Sequence, residues 1–240
     1  MASRPPREHT IENPESQELF QALQRALRSS KPLDLLVCVS SLLDAVDERS
    51  RTQTLELRGN PSLDQLVASF LDTEHAETTA ALHVMRALHP ALPLSARVDA
   101  ELAARTHRIP PWIHTLPQAR ASLPPRTVTH GDGTVDHLLG ATLDGAGTTP
   151  SITLTAAVVV DTTSDTIVDA VVLPVGLDVM VAQLERQLDD EADALAAAES
   201  TTVRASVTQA VAVTATTDPP VVTSTWPLCR PLVEWFVRLL

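Results

Sequence analysis

Residues 152–173 read ITLTAAVVVDTTSDTIVDAVVL and decide the fold of this chain. Apolar and polar side chains alternate from Ile152 to Val160, and a period of two residues is that of a β-strand with one buried face. A polar segment, Asp161 to Asp165, separates this run from a second one, Ile167 to Leu173, which is rich in β-branched residues. Two such runs joined by a short polar loop predict a β-hairpin.

Further elements flank the hairpin on both sides. Alternation from Leu139 to Leu143 predicts a preceding strand, so the sheet is expected to be a three-stranded antiparallel meander. Leu177, Leu184 and Leu188 follow at helical spacing and predict a helix that covers one face. The spacing of residues 200–217 fits both a helix and a strand, and we favour the helix.

The first half of the chain has the 3.6-residue period of amphipathic helices. The clearest stripe runs from Leu35 to Val46. Asn13-Pro14 and Asn60-Pro61 each place an N-cap residue before a proline at the first helical position. Prolines then crowd residues 108–126, and this segment is expected to be a connector because proline removes a donor and disfavours helix before it.

The pattern as a whole predicts an α+β protein with an N-terminal helical bundle, followed by the three-stranded antiparallel meander covered by helices. We expect a flexible arm at 1–12, a helical domain at 13–123 and an α+β domain at 124–240. The closing segment 231–240 is expected to be a docked C-terminal helix.

Composition restricts the compartment and the partners. The 240 residues are 44% hydrophobic and 20% charged, and the net charge is −12, which suits nucleic-acid binding poorly because that affinity comes from neutralising phosphates. Cys38 and Cys229 lie far apart without CxxC spacing, which favours a reducing cytoplasm. The N-terminus has no apolar signal core, and the chain has no apolar run of spanning length, so we expect a cytoplasmic protein that does not enter membranes.

Several segments of the chain carry a resemblance. Pro32-Leu-Asp-Leu-Leu with Ser40-Ser41-Leu-Leu, Arg108-Ile-Pro-Pro-Trp112, the Gly131-Asp-Gly133 triplet and the closing Trp226-Pro-Leu-Cys-Arg-Pro-Leu-Val-Glu-Trp235 are the segments concerned. The chain resembles, on these segments, a group of conserved actinobacterial proteins that has no assigned activity. The resemblance implies a bacterial origin and a compartment, and it carries no catalytic residue to this sequence.

The densest cluster of ligand-type side chains is His130-Gly-Asp132-Gly-Thr-Val-Asp136-His137. Imidazoles and carboxylates are ordinary ligands of divalent metals, so His130, Asp132, Asp136 and His137 are the candidates for a metal site. Asp-Gly is also the usual dipeptide of a tight turn that enters a strand. We favour the turn, and we therefore expect no metal at this strip.

Other chemistries lack a signature. Cys38 lies within a helical stripe and Cys229 lies between prolines, and both are expected to pack in the core. The sequence contains no GxSxG elbow for a serine nucleophile. Its seven glycines form neither GxGxxG nor GxxxxGK, so we expect no nucleotide and no cofactor.

Charge is unevenly distributed along the chain. Residues 161–199 contain ten acidic residues and one arginine, whereas residues 97–126 contain five arginines and two acidic residues. The two stretches are either separate solvated faces, which we favour, or surfaces that dock on each other.

Whether the chain is an enzyme stays open at this point. The first hypothesis is a non-enzymatic structural or protein-interaction role, with a protein partner or a homo-oligomer contacting Trp226, Trp235, Phe236 and Leu239. One alternative is an enzyme of unrecognised type, metal-dependent through the His130–His137 strip. The other is a nucleic-acid-binding regulator that acts through the arginines of 97–126.

Overall fold

The first half of the chain folds into helices where its apolar residues recur every three or four positions. The computed structural model describes residues 14–47, 61–145, 150–187, 194–217, 223 and 225–240. The helices of this half are α1 (Pro14–Arg28), α2 (Pro32–Val46), α3 (Leu63–Asp72), α4 (Ala76–Leu88), α5 (Ser95–Ala104) and α6 (Pro111–Thr115), followed by a 3₁₀ turn at Leu116–Gln118.

The second half combines a sheet with three further helices among the described residues. The strands are β1 (Arg120–Ala121), β2 (Arg126–Thr129), β3 (Thr134–Leu143), β4 (Ile152–Asp161), β5 (Thr166–Leu173) and β6 (Ala194–Ala197). The helices are α7 (Leu177–Gln187), α8 (Ser200–Thr214) and α9 (Trp226–Leu239). The fold is therefore α+β, and α8 confirms the helical alternative for residues 200–217.

The sheet is larger than the predicted meander. In the described residues it has six strands in the order β5-β4-β3-β2-β6, with β1 paired to β3, and every pairing is antiparallel. The prediction of three strands is wrong because β1, β2 and β6 have only two to four residues, too few to show alternation. Residues 194–197 read ALAA, a sequence with helical propensity, and they become a strand only by pairing with β2.

The predicted N-terminal bundle is also replaced by a different arrangement. Helices α1, α2 and α4 contact one another, and α2 and α4 contact α9 from the far end of the chain. One set of buried side chains extends from Leu23 through the inner face of the sheet to Val237. The domain boundary at 123/124 stays a prediction, although buried residues on both sides of it belong to this one core.

The two faces of the sheet are covered differently. The inner face carries small and medium apolar side chains that pack under α8 and α9, such as Leu139, Ala156 and Val158. The outer face is covered by α7, whose Leu177 and Val181 pack on Leu138 and Val128. Each face is lined by every second residue of β3 and β4, which is the period that the sequence shows.

Gly140 explains how the outer face accommodates α7. A Cβ atom placed on Gly140 would lie 2.9 Å from the Cβ atom of Leu177 and in contact with the Ser122 hydroxyl group. A glycine in mid-strand therefore marks a close approach of a helix and a loop to the backbone.

Within the described ranges, no helix combines the length and the apolar character needed to cross a membrane.

Candidate functional site

The predicted metal candidates begin at the turn between β2 and β3. The Asp132 carboxylate accepts hydrogen bonds from the Thr134 backbone N–H (2.9 Å) and from the Thr134 hydroxyl group (2.7 Å). These bonds hold the pKa of Asp132 below its usual value. Gly133 follows at φ +89°, in the region that favours glycine. Asp132 therefore has the role of a turn residue.

The other three candidates do not converge with Asp132. His130 Nε2 lies 3.1 Å from Asp136 Oδ2, in a half-buried pair. His137 is the next residue along β3 and points to the opposite face, where its Nε2 lies 3.0 Å from Ser206 Oγ of α8. Among the described residues, no three His, Cys, Asp or Glu side chains are placed to hold a metal ion.

The pair of His137 and Ser206 is a contact that sequence spacing could not reveal, because the two residues are 69 positions apart. A serine beside an imidazole can act as a nucleophile when a third group orients the base. In the described part of the chain, His137 Nδ1 is buried and has no hydrogen-bond partner. Burial lowers the pKa of His137, and the smaller effect of the Asp136 carboxylate opposes this shift. The pair therefore lacks the orienting group of a catalytic triad and ties α8 to β3 instead.

The histidines of the helical half have structural contacts. His83 and His114 stack edge-to-face with ring centroids 5.1 Å apart. Burial, together with the charge of His114, lowers the pKa of His83 to about 4. His107 Nδ1 lies 3.2 Å from the Thr79 hydroxyl group.

The predicted contact residues of the closing segment lie in the core. Trp226, Trp235 and Phe236 are exposed by only 4%, 3% and 1%, and Leu239 is partly buried against the same core. Trp235 and Phe236 pack edge-to-face on each other, with ring centroids 5.2 Å apart. The apolar face of α9 meets α2, α4 and β5 of its own chain, so Trp226, Trp235 and Phe236 pack inside this chain, whereas Leu239 is only partly buried.

Both thiols are also internal to the fold. Burial raises the pKa of Cys38 and of Cys229, which keeps each of them as the weakly nucleophilic thiol. Cys229 is buried, and Cys38 is half-buried in α2.

The arginines of 97–126 are mostly committed to intramolecular contacts. Arg105 is buried, and its guanidinium donates to the Phe70 and Leu71 carbonyl oxygens at 3.1 and 2.7 Å, where α3 ends. Arg97 pairs with Asp72 at 2.8 Å, and Arg120 pairs with Asp144. Neither of these carboxylates belongs to the acidic stretch 161–199, so these two ion pairs do not dock the basic connector on it.

Among the described residues, a cavity of about 500 Å³ lies where four helices meet. The end of α2, the start of α3, the end of α4 and the middle of α9 form its walls. Its apolar lining is Leu43, Val46, Leu63, Leu88, Pro93 and Pro231. Its polar lining is Asp47, Ser62, Asp64, His89 and Glu234.

Local sequence explains how the helix ends are placed around this cavity. Ser62 caps α3 with a capping box, in which its side chain accepts from the Gln65 N–H and the Gln65 side chain accepts from the Ser62 N–H. Pro231 interrupts the hydrogen bonding of α9 where the helix passes the cavity. Arg238 closes the end of α4 by donating to the Leu88 carbonyl oxygen at 2.6 Å.

A buried ion cluster lies beside the cavity. Arg230 Nη2 is 2.6 Å from Asp44 Oδ1 and 3.1 Å from Asp47 Oδ2. Arg230 and Asp44 are exposed by only 6% and 7%, whereas Asp47 also lines the cavity. One guanidinium thus serves two carboxylates and joins α9 to the end of α2.

Comparison with known proteins does not connect this geometry with a known family. No family model, no curated protein and no solved structure gave a match to the chain.

Proposed function

We propose that this chain is a cytoplasmic, non-catalytic binding protein that works through protein interaction, with the four-helix cavity as its binding site. The cavity is the observation that supports the proposal. Its volume of about 500 Å³ falls in the size range of ligand sites, and its lining combines apolar walls with a few polar groups, as such sites do.

The metal-dependent enzyme is the weaker alternative because its residues are separated. His137 contacts α8, whereas Asp132 closes a turn and His130 pairs with Asp136. A hydrolytic site needs nucleophile, base and anion-stabilising donors around one reacting atom. The described residues place no such set around the cavity or around Ser206.

The nucleic-acid regulator is weaker for an electrostatic reason. Phosphate contacts require basic side chains that are exposed and unpaired with carboxylates. Arg105 is buried, and Arg97 and Arg120 are paired with aspartates.

The residue that follows Pro93 of the cavity lining adds support for a binding role. Leu94 has φ 56°, in the left-handed region that costs a leucine about 1 kcal/mol. Its side chain is 43% exposed although it follows Pro93, which lines the cavity. A strained backbone that presents an apolar side chain beside an opening is typical of a contact position.

The proposal is tested by asking whether small apolar probes occupy the cavity. Titration of the ¹⁵N-labelled chain with indole and cyclohexanol should give saturable amide shifts at Leu63, Asp64 and His89. Leu63→Trp should abolish the shifts because the larger ring fills the opening.

Val179→Trp is the matched control, since Val179 is 53% exposed on α7, on the other side of the sheet. The control should keep the shifts. Probe-induced shifts that are absent, or that persist in Leu63→Trp, would contradict the proposal.

A further inference from the structure

We infer that strand β6, at one edge of the six-stranded sheet, accepts an extended segment of a basic partner protein as a further strand. An edge strand presents N–H and C=O groups on one side, and a second chain can add to them by strand pairing. This site lies apart from the four-helix cavity, and the inference does not depend on the function proposed for that cavity.

The register of β6 fixes which of its backbone groups face outward. The Ala198 N–H donates to the Pro125 carbonyl oxygen at 3.0 Å, so Ala198 and every second residue before it face β2. The residues between them point their N–H and C=O groups to the other side, as residues of an antiparallel strand alternate. These residues are Leu195 and Ala197, and no described residue forms a hydrogen bond to their outward backbone groups.

The opposite edge of the sheet, strand β5, is covered by side chains. The Ile167 N–H donates to Thr214 Oγ1 of α8 at 2.7 Å. The Ala170 N–H donates to Asp169 Oδ1 at 2.9 Å. Two donors of β5 are thus occupied from within the chain, whereas the described residues supply no such cover for β6.

The side chains of β6 also leave the strand accessible. Ala194, Ala196 and Ala197 are exposed, and the strand contains no proline and no charged residue. Proline and charge are devices that keep a second strand from pairing with a sheet edge. Alanine side chains are small, so a second backbone can approach to the usual spacing of about 4.8 Å.

Leu195 indicates which side chains the added strand carries. It is half-buried and packs on the small cluster under α7 that contains Val128, Leu138 and Val181. A residue directly opposite Leu195 in an added strand lies on the same face of the sheet. An apolar β-branched side chain at that position extends the cluster, and the residues on either side of it can be polar.

Charge favours a basic segment over a second copy of this chain. The protein carries a net charge of −12, and residues 185–204, which include β6, contain six acidic residues and two arginines. Arg126 of β2, opposite Ala197, adds one cation and leaves this balance negative. Pairing of β6 with β6 of a second copy brings two strongly acidic chains together, whereas a segment with arginine or lysine is attracted.

The test uses a short peptide whose backbone is blocked along one side or the other. Acetyl-Arg-Thr-Val-Thr-Val-Thr-Arg-amide is titrated into the full ¹⁵N-labelled chain. Its two valines take the positions opposite Leu195 and Ala197, so their N–H groups face β6. N-methylation of both valines should weaken binding about tenfold or more, because it removes these donors.

The matched control peptide has N-methyl groups on its first two threonines. Their N–H groups face away from β6, so binding should stay within about twofold of that of the unmethylated peptide. A second peptide, with glutamate in place of both arginines, should bind about fivefold more weakly or less tightly still, because the chain is acidic.

Amide hydrogen exchange locates the peptide on the strand. In the unbound chain, the amide hydrogens of Leu195 and Ala197 should exchange faster than that of Ala196, which faces β2. A saturating concentration of the peptide should slow exchange at Leu195 and Ala197 by about tenfold or more. Protection that appears elsewhere and not at these two residues would contradict the assignment to β6.

Two variants of Ala197 separate the edge from the rest of the fold. Ala197→Pro removes one outward N–H, which an edge strand tolerates, and should weaken the peptide about fivefold or more. Ala197→Thr keeps the N–H and should bind the peptide as the unchanged chain does. The methylated peptides are titrated into the unchanged chain, so they decide the question even where Ala197→Pro unfolds.

The remaining outcomes distinguish the possible occupants of the edge. Equal binding of the two methylated peptides, or full binding to a folded Ala197→Pro variant, would overturn strand addition. Equal binding of the glutamate peptide would overturn the basic partner. Sedimentation that shows a dimer of the unchanged chain and a monomer of Ala197→Pro would assign the edge to a second copy. The indole titration tests the cavity separately, so failure at β6 and failure of the proposed function are distinguishable.

Discussion

Two polar clusters of this chain contain similar side chains but are assembled differently. One lies within a single turn, and the other forms where distant helices meet. The turn between β2 and β3 contains two histidines and two carboxylates within eight residues, and it resolves into a turn carboxylate, one half-buried pair and one buried histidine. At the junction of α2, α3, α4 and α9, residues from distant parts of the sequence come together. Asp64 and Glu234 line a cavity there, and the ion pair of Asp44 and Arg230 lies beside it. The polar groups of a cluster that is local in sequence bond to the nearby backbone and to each other. Helix ends that come together from distant parts of the chain can instead enclose a cavity.

Arg230→Met, in the cluster at the helix junction, should cause the largest loss of unfolding free energy of the variants proposed. Removing the guanidinium breaks the buried ion pair between Arg230 and Asp44, and breaking such a pair costs about 3–5 kcal/mol of unfolding free energy. Urea unfolding followed by circular dichroism measures it. The double variant Arg230→Met with Asp44→Leu should recover part of the loss, and a cost below about 1 kcal/mol in the single variant would show that the ion cluster does not hold the junction.

Acid should destabilise the helical side before it affects the turn. The pKa of His83 in α4 is about 4 in the folded chain against 6.5 for the free imidazole, so the unfolded chain binds the proton first. The stability present above pH 6.5 is therefore lost as the pH falls toward 4, by about 1–2 kcal/mol because the half-buried ring is partly screened. His83→Gln should reduce this loss of unfolding free energy, and the remaining part should come from His137, whose pKa burial also lowers.

The turn should respond only in stronger acid. The Thr134 N–H and hydroxyl group lower the pKa of Asp132, so its stabilising effect is present above 3.8 and lost below that pH. Unfolding measured from pH 7 to 3 in His83→Gln and Asp132→Ala separates the two ranges. A loss between pH 6.5 and 4 that is as large in His83→Gln as in the unchanged chain would contradict the assignment to His83.

Leu94→Gly should stabilise the chain slightly. Glycine adopts φ 56° without a Cβ penalty, and the gain is offset by its larger unfolded-state entropy, so we expect about 0.5 kcal/mol. Thermal and urea unfolding give the change. A loss greater than about 1 kcal/mol would mean that Leu94 packs on the fold rather than serving a partner.

His130→Gln should have the smallest effect, within about 0.5 kcal/mol, because a half-buried surface pair contributes little. The same urea series measures it, with Arg230→Met as the reference. A loss of unfolding free energy comparable to that of Arg230→Met would contradict the different energetic roles of the two clusters.

The sequence predicted those elements whose pattern is long enough to repeat. The stripe from Leu35 to Val46 is α2, and the runs Ile152–Val160 and Ile167–Leu173 lie in β4 and β5. The closing segment was expected to be a helix from Pro231, and it begins earlier, at Trp226, because Pro227 is tolerated in the first turn. The strands β1 and β6 could not be predicted, since pairing with distant partners makes them strands. The four residues of β2 are too few to show alternation, although β2 pairs with β3 across a short turn.

The candidate site was less accessible to sequence reasoning than the fold. Spacing singled out His130, Asp132, Asp136 and His137 because they are near one another in the chain, but consecutive strand residues face opposite sides of a sheet. Leu43, Ser62, His89 and Glu234 carry no common motif, and only the packing of four helices brings them around one cavity. Trp235 and Phe236 were taken for contact residues, whereas their size suits them equally to the core.

The sequence alone determined the class of the fold, the locations of the long helices and strands, and the acidic balance, because these depend on local periodicity and composition. The tertiary structure decided the width of the sheet, the single core that joins both halves, the burial of the closing helix and the position of the cavity. These features depend on which apolar faces meet and where helices end in space, and residues far apart in the chain leave no local pattern that records their meeting.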